Sequence, residues 1–195
     1  MIGIIDHGAG NIRSLKNALN KLGAQFIISN NVDELKDARK LILPGVGEAR
    51  TAMESLDQNR ITPWLKTVRV PFLGICLGMQ LMYEQSDERK TPCLGILPGE
   101  VLRFTNSALK VPHMGWNQVR VRSPNALFSG LGNNEFFYFI HSYFAPVGSQ
   151  TFGVTEYGRK FSAAVIKDNF YGVQFHPEKS GDVGLRLLKN FIDLW

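Results

Sequence analysis

Short apolar runs rich in β-branched residues alternate with segments of helical periodicity over the first hundred residues, and this alternation constrains the fold most. The apolar runs are IGIID (2–6), AQFIIS (24–29), KLILPGVG (40–47) and VPFLGIC (70–76). Helical patterns lie between or after them: IRSLKNALNKLG (12–23), NVDELKDA (31–38), a stretch from about Ala49 to Leu56, and LGMQLMYEQS (77–86). Strands that alternate with helices predict right-handed βαβ crossovers and a parallel sheet.

The pattern changes after Glu100, where strand-like segments follow one another with few helices between them. These segments are EVLRF, NQVRVR, EFFYFIHSYF, FSAAVI and FYGVQF, and GLRLLKNFIDLW (184–195) follows as an amphipathic helix. Consecutive strands favour an antiparallel or mixed arrangement. We therefore predict a single α/β domain over residues 1–195, with an open, mostly parallel twisted sheet, helices on both faces and an antiparallel extension.

The composition excludes several classes of protein. Of the 195 residues, 44% are hydrophobic and 20% charged, which is a globular balance. The net charge is +5, but Lys and Arg are scattered without a nucleic-acid-binding motif, so we expect no nucleic acid as partner. No apolar run reaches the roughly 18–20 residues that span a bilayer, and the first residues lack a basic signal-peptide region. Two cysteines are too few for a disulfide framework, which predicts a reduced, cytoplasmic setting.

The pentapeptide Gly-Ile-Cys-Leu-Gly (74–78) places Cys76 between two glycines, at the end of a predicted strand and the start of a predicted helix. Gly-x-Cys-x-Gly is the thiol form of a nucleophile elbow, a tight turn that presents its central side chain at the carboxyl edge of a sheet. A helix N-terminus favours a thiolate there. The pentapeptide alone is also compatible with a buried structural cysteine.

A thiolate nucleophile needs a proton carrier, and His176 is the best candidate among the four histidines. In YGVQFHPEKS it follows an apolar strand, and Glu178 stands two residues further on. Residues two apart on an extended segment face the same side, so Glu178 would orient the imidazole. The pattern predicts a Cys76–His176–Glu178 triad. The alternative is an exposed His-Pro-Glu turn.

Backbone N–H groups near Cys76 are candidates for an oxyanion hole. The residue after the nucleophile, Leu77, is one predicted donor. The second is the N–H of Val46 or Gly47, because the PGVG loop ends a neighbouring strand and suits close approach of backbone. An ordinary strand-to-helix turn is the alternative for this loop.

Taken together, these motifs resemble the class I (triad-type) glutamine amidotransferases, and among them the glutaminase subunits of imidazole glycerol phosphate synthases. The general match rests on PGVG, GICLGMQL and GVQFHPEKS in this order, and the closer one on DHGAGN, PHMGWN (112–117) and YFIHSYF (138–144). The resemblance covers essentially the whole chain. It implies that Cys76 attacks the side-chain amide of L-glutamine, that a γ-glutamyl thioester forms and is hydrolysed, and that no cofactor or metal takes part. It also places a set of residues at the glutamine: Gly45, Gln80, Glu88, Ser142 and Tyr143.

The resemblance further implies a heterodimer with a (β/α)8-barrel cyclase subunit that receives the ammonia. The positions that match partner contact and channel closure are Asn11, Trp116, Tyr138 and Lys179. Without this role, Trp116 and Tyr138 would be half-buried core aromatics and Lys179 a solvated surface charge. Cys93 has no base nearby in the sequence, and we interpret it as structural. The sequence assigns no acid partner to His7, His113 and His141, and we interpret them as structural or interface residues.

Three other functions remain open at this stage. The chain could be a glutaminase that serves another synthase, including one that aminates a sugar or other metabolite, since the acceptor site lies on the partner. It could be a cysteine hydrolase that acts alone on γ-glutamyl compounds. A non-catalytic regulatory subunit is the third, and the intact Cys76, His176 and Glu178 argue against it.

Overall fold

The computed structural model describes residues 1–8, 12–105 and 109–194. The strands in this part of the chain are β1 (Ile2–Ile5), β2 (Phe26–Ser29), β3 (Lys40–Leu43), β4 (Phe72–Ile75), β5 (Gln85–Ser86), β6 (Thr91–Pro92), β7 (Glu100–Arg103), β8 (His113–Val121), β9 (Asn134–His141), β10 (Tyr143–Phe144), β11 (Thr151–Glu156), β12 (Lys160–Lys167) and β13 (Phe170–Val173). The α-helices are α1 (Ile12–Lys21), α2 (Val32–Leu35), α3 (Ala49–Gln58), α4 (Ile61–Leu65), α5 (Leu77–Gln80) and α6 (Gly181–Asp193).

Nine strands form the main sheet in the order β2-β1-β3-β4-β13-β12-β11-β8-β9. The pairs from β2 to β13 are parallel, and the pairs from β13 to β9 are antiparallel. The predicted fold class, a parallel sheet with an antiparallel extension, is confirmed. The last strand of the chain, β13, lies between the two halves and joins them.

The parallel strands are buried on both faces, which explains their continuous apolar sequence. Successive residues of one strand enter two different hydrophobic clusters, because side chains alternate between the faces of a sheet. In β3, for example, Ile42 packs in a cluster with Leu15 of α1, whereas Leu41 packs in a cluster with Leu56 of α3. Helices therefore cover both faces of the sheet.

The helix predicted over residues 77–86 is wrong in length. Helix α5 is a single turn, and the chain then leaves the helix and enters a small sheet of order β10-β7-β5-β6. Hydrogen bonds to other segments replace the intrahelical bonds of Glu84: its N–H donates to the Gly99 carbonyl, and its carbonyl accepts the Cys93 N–H. Because residues 77–83 are buried all round, their apolar character does not define one helical face.

The sequence patterns missed helix α4 and strands β6 and β11, and they assigned the residues of β5 to the helix predicted over residues 77–86. Helix α6 begins at Gly181, three residues before the predicted start. Asn11, a predicted partner residue, lies outside the described residues. No helix within those residues is long and apolar enough to cross a membrane.

Candidate active site

Cys76 and His176 meet because the two strands that precede them are parallel neighbours. Strand β13 pairs with β4 in the register Gly172–Gly74 and Val173–Ile75, so both chains leave the sheet at the same edge. The Cys76 N–H donates to the Val173 carbonyl at 2.8 Å. The carboxyl edge of parallel strands is where ligands bind in open α/β sheets.

The turn at Cys76 has the strained backbone of a nucleophile elbow, with φ 53° and ψ −106° at a non-glycine residue. The flanking glycines allow it to fit. A Cβ at Gly78 would lie 1.8 Å from the Leu43 carbonyl oxygen, and a Cβ at Gly74 would lie 2.6 Å from the Gly78 carbonyl oxygen. Only glycine leaves room for backbone at these distances, so the predicted elbow is present.

Glu178 contacts His176 as predicted, although by a different local geometry. The His176 Nδ1 and Glu178 Oε1 atoms are 2.8 Å apart, and both side chains are almost fully buried. Residues Pro177–Lys179 form a 3-10 turn instead of the extended segment on which the prediction relied. The exposed His-Pro-Glu turn considered as an alternative is excluded by this burial.

The second ring nitrogen of His176, Nε2, is buried and has no hydrogen bond of good geometry within the described residues. Burial disfavours the charged ring, but the Cys76 thiolate and the Glu178 carboxylate outweigh burial and raise the pKa of His176 to about 10. The protonated ring is therefore the favoured form of His176 at neutral pH.

A cavity of about 300 Å³ opens beside Cys76. The residues that line it are Val46, Gly47, Cys76, Leu77, Gln80, Glu88, Pro112, Ile140, His141, Ser142 and Tyr143. Every predicted oxyanion residue and all but one of the predicted glutamine-binding residues are in this set. The exception is Gly45. Pro112, Ile140 and His141 line the cavity without having been predicted, although all three stand in motifs that the sequence displays.

The Leu77 N–H, predicted as an oxyanion donor, is engaged elsewhere in this conformation. It donates a long hydrogen bond, 3.4 Å, to the Gly45 carbonyl. A Cβ at Gly45 would lie 2.7 Å from the Leu77 Cβ, so the two segments are in close contact. Gly47 has φ +121°, a conformation open to glycine and rarely to other residues. In this conformation the Leu77 N–H is therefore not available to an oxyanion.

Gln80 and Glu88 approach the cavity from different elements. The Gln80 Nε2 donates to the Tyr143 carbonyl at 2.9 Å and to the Gln174 Oε1 at 3.0 Å. Glu88 Oε2 accepts the Ala49 N–H at 2.8 Å, at the start of α3. One oxygen of the Glu88 carboxylate holds a helix N-terminus, and the residue contributes a negative charge to the wall of the cavity.

Trp116, Tyr138 and Lys179 lie together on the outer side of the β8–β9 hairpin. The two aromatic rings are 6.2 Å apart in an edge-to-face arrangement, and the Lys179 Nζ lies 5.9 Å from the centre of the Tyr138 ring. The Tyr138 carbonyl accepts the His176 N–H at 2.9 Å, which ties this strand to the histidine. The core role considered for Trp116 is excluded, because 56% of its surface is exposed.

Two further apolar side chains on this hairpin were not singled out from the sequence. Met114 and Phe136 are 58% and 53% exposed. Because side chains two apart share a face and Trp116 is paired with Tyr138, Met114 and Phe136 lie on the same face as these two. We call Met114, Trp116, Phe136 and Tyr138 the hairpin face. The alternation of HMGWNQ could have revealed Met114.

No group of three or more His, Cys, Asp or Glu side chains in residues 1–8, 12–105 and 109–194 is placed to hold a metal ion. The arrangement provides instead a strained thiol, an imidazole oriented by a buried carboxylate, and a small cavity. These are the parts needed for attack of sulfur on a carbonyl carbon with proton transfer to the leaving nitrogen.

The comparisons with known proteins agree with this chemistry. Residues 3–194 match the family model of the class-I glutamine amidotransferases. The chain is 49% identical to the imidazole glycerol phosphate synthase subunit HisH of Bacteroides fragilis (strain YCH46), over 99% of both chains. It is 48% identical to that of Methanocaldococcus jannaschii, over the full length of both.

Solved structures support the fold. A crystal structure of a glutamine amidotransferase superimposes with a TM-score of 0.75 at 22% identity, over 98% of this chain and 97% of that one. PurLQS from Thermotoga maritima gives 0.73 at 18% identity over the same shares of the two chains. The chain therefore belongs to the class-I glutamine amidotransferase family, in the branch formed by the HisH subunits of imidazole glycerol phosphate synthase.

Proposed function

We propose that this chain, as one glutamine amidotransferase domain, hydrolyses L-glutamine to glutamate and delivers the ammonia to a (β/α)8-barrel cyclase subunit. The products of the complex would be imidazole glycerol phosphate and an aminoimidazole carboxamide ribotide, in histidine biosynthesis. One observation carries the proposal: Cys76 stands in a strained elbow beside a buried His176–Glu178 pair, in a chain 49% identical to a HisH subunit over nearly its whole length.

In the mechanism that we propose, the Cys76 thiolate attacks the side-chain amide carbon of glutamine. The His176 imidazolium gives its proton to the amide nitrogen, which leaves as ammonia, and a γ-glutamyl thioester remains on Cys76. The imidazole then takes a proton from water, whose hydroxyl attacks the thioester and releases glutamate. Glu178 holds the Nδ1 proton throughout. Glutamine and water thus yield glutamate and ammonia, with protein groups alone as catalysts.

The cavity residues suit the substrate. The Glu88 carboxylate would face the α-ammonium group of glutamine, and the backbone of Ser142 and Tyr143 would lie along the amino-acid portion, with Gln80 and Gly45 completing the site. A cavity of about 300 Å³ is of the size expected for a small polar ligand.

The oxyanion hole needs a rearrangement before it can act. The Leu77 N–H would have to exchange the Gly45 carbonyl for the oxyanion, with the N–H of Val46 or Gly47 as the second donor. We propose that the present arrangement is the resting form and that the cyclase, with its nucleotide, favours the active form. This coupling would keep the glutaminase nearly silent until ammonia can be used.

The hairpin face is the surface that we propose for the cyclase. Met114, Trp116 and Phe136 are each more than half exposed, and such a cluster is typical of a protein interface. The face reaches the cavity at Met114, whose pairing partner Ile140 lines it, so a partner bound here would lie beside the cavity and could cover the exit that ammonia takes. Tyr138, Lys179 and Asn11 would close the channel. Covering matters because ammonia in bulk water becomes ammonium, which is not a nucleophile.

The cytoplasm is the setting that we propose, because both cysteines are free and the thiol of Cys76 must stay reduced to act.

The deciding experiment measures glutamate release from glutamine by the chain alone, with a candidate cyclase, and with the cyclase plus its nucleotide substrate. We expect strong stimulation only in the complete mixture. Full activity of the chain alone would indicate a hydrolase that acts without a partner. If the cyclase does not change the activity, the Cys76 chemistry would still be supported, but the chain would serve a different synthase.

A further inference from the structure

Cys76 has a hydrogen-bond donor that the catalytic trio does not include. The Gln174 side chain is fully buried, and its Nε2 lies 3.6 Å from the Cys76 Sγ. On the other side, Sγ lies 3.7 Å from the Ile140 carbonyl oxygen. A neutral thiol can donate to that carbonyl, whereas a thiolate can only accept. Gln174 therefore offers the contact that favours the charged sulfur.

The orientation of the Gln174 amide is set by its neighbour. Its Oε1 accepts from the Gln80 Nε2 at 3.0 Å, so its own Nε2 must be the atom that faces the sulfur. A flip would bring two N–H groups together and place an oxygen against Sγ. Gln80 cannot flip either, because its other Nε2 hydrogen goes to the Tyr143 carbonyl at 2.9 Å.

Two buried histidines fix the position of the Tyr143 carbonyl, His141 by direct contact and His113 through His141. His141 Nδ1 donates to it at 2.7 Å, so the His141 Nε2 is an acceptor and receives the His113 Nδ1–H at 2.9 Å. His113 Nε2 in turn accepts from the Asn117 Nδ2 at 3.2 Å. With these assignments, each hydrogen bond from Asn117 through His113 and His141 to the Tyr143 carbonyl has one donor and one acceptor. Burial lowers the pKa of His113 to about 4 and that of His141 to about 3, which keeps both rings neutral at physiological pH.

We propose that Gln174 is a further catalytic residue, which donates a hydrogen bond to the Cys76 thiolate, and that Gln80 and His141 are positioning residues that keep its amide turned toward the sulfur. The inference rests on the proposed role of Cys76 as nucleophile. It extends that role to a chain of buried amides and imidazoles, to which the Cys76 motif contributes Gln80 and the His176 motif contributes Gln174.

The test measures thiolate reactivity without glutamine. Iodoacetamide alkylates the full-length chain between about pH 5 and about pH 9, and peptide mass spectrometry follows Cys76. Gln174→Met removes the donor, and Gln174→Glu replaces it with an acceptor of the same shape. We expect both variants to alkylate about 10- to 100-fold more slowly at neutral pH, the factor that a hydrogen bond to a charged group supplies. Cys93, whose pKa burial raises to about 12, is the unreactive reference in each sample.

Asn169→Asp is the matched control, because it makes the same amide-to-acid change in a buried side chain elsewhere. The Asn169 Nδ2 donates to the carbonyls of Val68 and Val70 at 3.2 and 2.8 Å. This variant should lose stability and keep the wild-type alkylation profile. Unchanged Cys76 alkylation in both Gln174 variants would overturn the proposal.

His141 gives a second test that does not alter Gln174. His141→Asn keeps an N–H at the position of Nδ1, whereas His141→Phe removes it. We expect the Phe variant to slow Cys76 alkylation and to lower kcat more than it raises KM, and the Asn variant to restore most of both. Equal loss in the two variants would mean that the ring only fills space. A wild-type chain that releases no glutamate even with the cyclase and its nucleotide substrate would refute the proposed function, while the alkylation profiles would still measure the hydrogen bond.

Discussion

The cavity beside Cys76 has two walls of different construction. One wall is the segment Ile140–Tyr143, whose carbonyls are held by buried side chains: His141 and Gln80 both donate to the Tyr143 carbonyl. The other wall is the Pro44–Gly47 loop. It is anchored at its start, where the His7 Nε2 bonds the Pro44 carbonyl at 2.9 Å, but its next carbonyl occupies the Leu77 N–H. Side-chain hydrogen bonds hold the first wall, whereas the second wall engages the N–H that is predicted to be an oxyanion donor.

This difference indicates where regulation can act. A wall held by neutral, fully paired side chains has few alternative arrangements. A glycine-rich loop with a long hydrogen bond and a positive φ at Gly47 can change conformation at little cost. A partner that controls the reaction would therefore act on Pro44–Gly47 and leave Ile140–Tyr143 as it is.

Cys76→Ala removes the sulfur that lies between the two walls, and it has the largest expected effect on activity. Glutamine-dependent synthesis by the complex should fall about 10⁴-fold or more. Synthesis from added ammonia should continue, because the cyclase is intact. Cys93→Ala is the control and should change neither rate. Loss of the ammonia-dependent rate in Cys76→Ala would mean that Cys76 supports the fold or the interface.

Glu178→Gln tests the orientation of His176 without removing the ring. The amide keeps the shape of the carboxylate but loses the charge that stabilises the imidazolium, so kcat should fall roughly 10²-fold or more. The measurement is the pH profile of glutamate release by the stimulated complex. Glu84→Gln, on an exposed carboxylate that binds the Gly99 N–H, is the comparison and should act like wild type. A Glu178→Gln enzyme of normal rate would contradict the proposed triad.

Acid should destabilise the folded protein through the two histidines behind the first wall. His113 and His141 have pKa values lowered by burial to about 4 and about 3, so the unfolded chain takes up protons below about pH 6.5 while the folded chain does not. The contribution of these two histidines to the free energy of unfolding is complete above pH 6.5. It falls with decreasing pH by about 1.4 kcal/mol per pH unit each, down to about pH 4 for His113 and about pH 3 for His141. Urea unfolding at several pH values measures the slope. His141→Asn should reduce it, and an equal slope in that variant would exclude His141 as its source.

Gly47→Ala should disturb the second wall and has the smallest expected effect. A non-glycine residue at φ +121° is strained by about 1–3 kcal/mol, which disfavours the present loop conformation. If this conformation is the resting form, glutamate release by the chain alone should rise several-fold relative to the stimulated rate. Gly148→Ala, where the nearest atom to an added Cβ is 3.6 Å away, is the control. An equal fall of the free and stimulated rates would argue against a resting form.

Local sequence determined the parts of this protein that depend on neighbours along the chain. Alternating apolar runs predicted the parallel sheet, and Gly-Ile-Cys-Leu-Gly predicted the elbow, because a backbone with the Gly78 Cβ position 1.8 Å from the Leu43 oxygen accepts only glycine. The spacing of His176 and Glu178 predicted their contact, although a 3-10 turn and not an extended segment produces it.

Tertiary structure decided what depends on residues far apart in the sequence. Helix α5 does not continue past Gln80 because the carbonyls of residues 81–83 accept N–H groups from residues 94–97, and no local pattern encodes that competition. The Leu77 N–H is occupied because the loop after β3 packs on the elbow. Gln174 meets Cys76 only because β13 lies beside β4. Such contacts join separate segments of the chain, 98 residues apart for Gln174 and Cys76. Their geometry follows from strand order and packing, which periodicity does not specify.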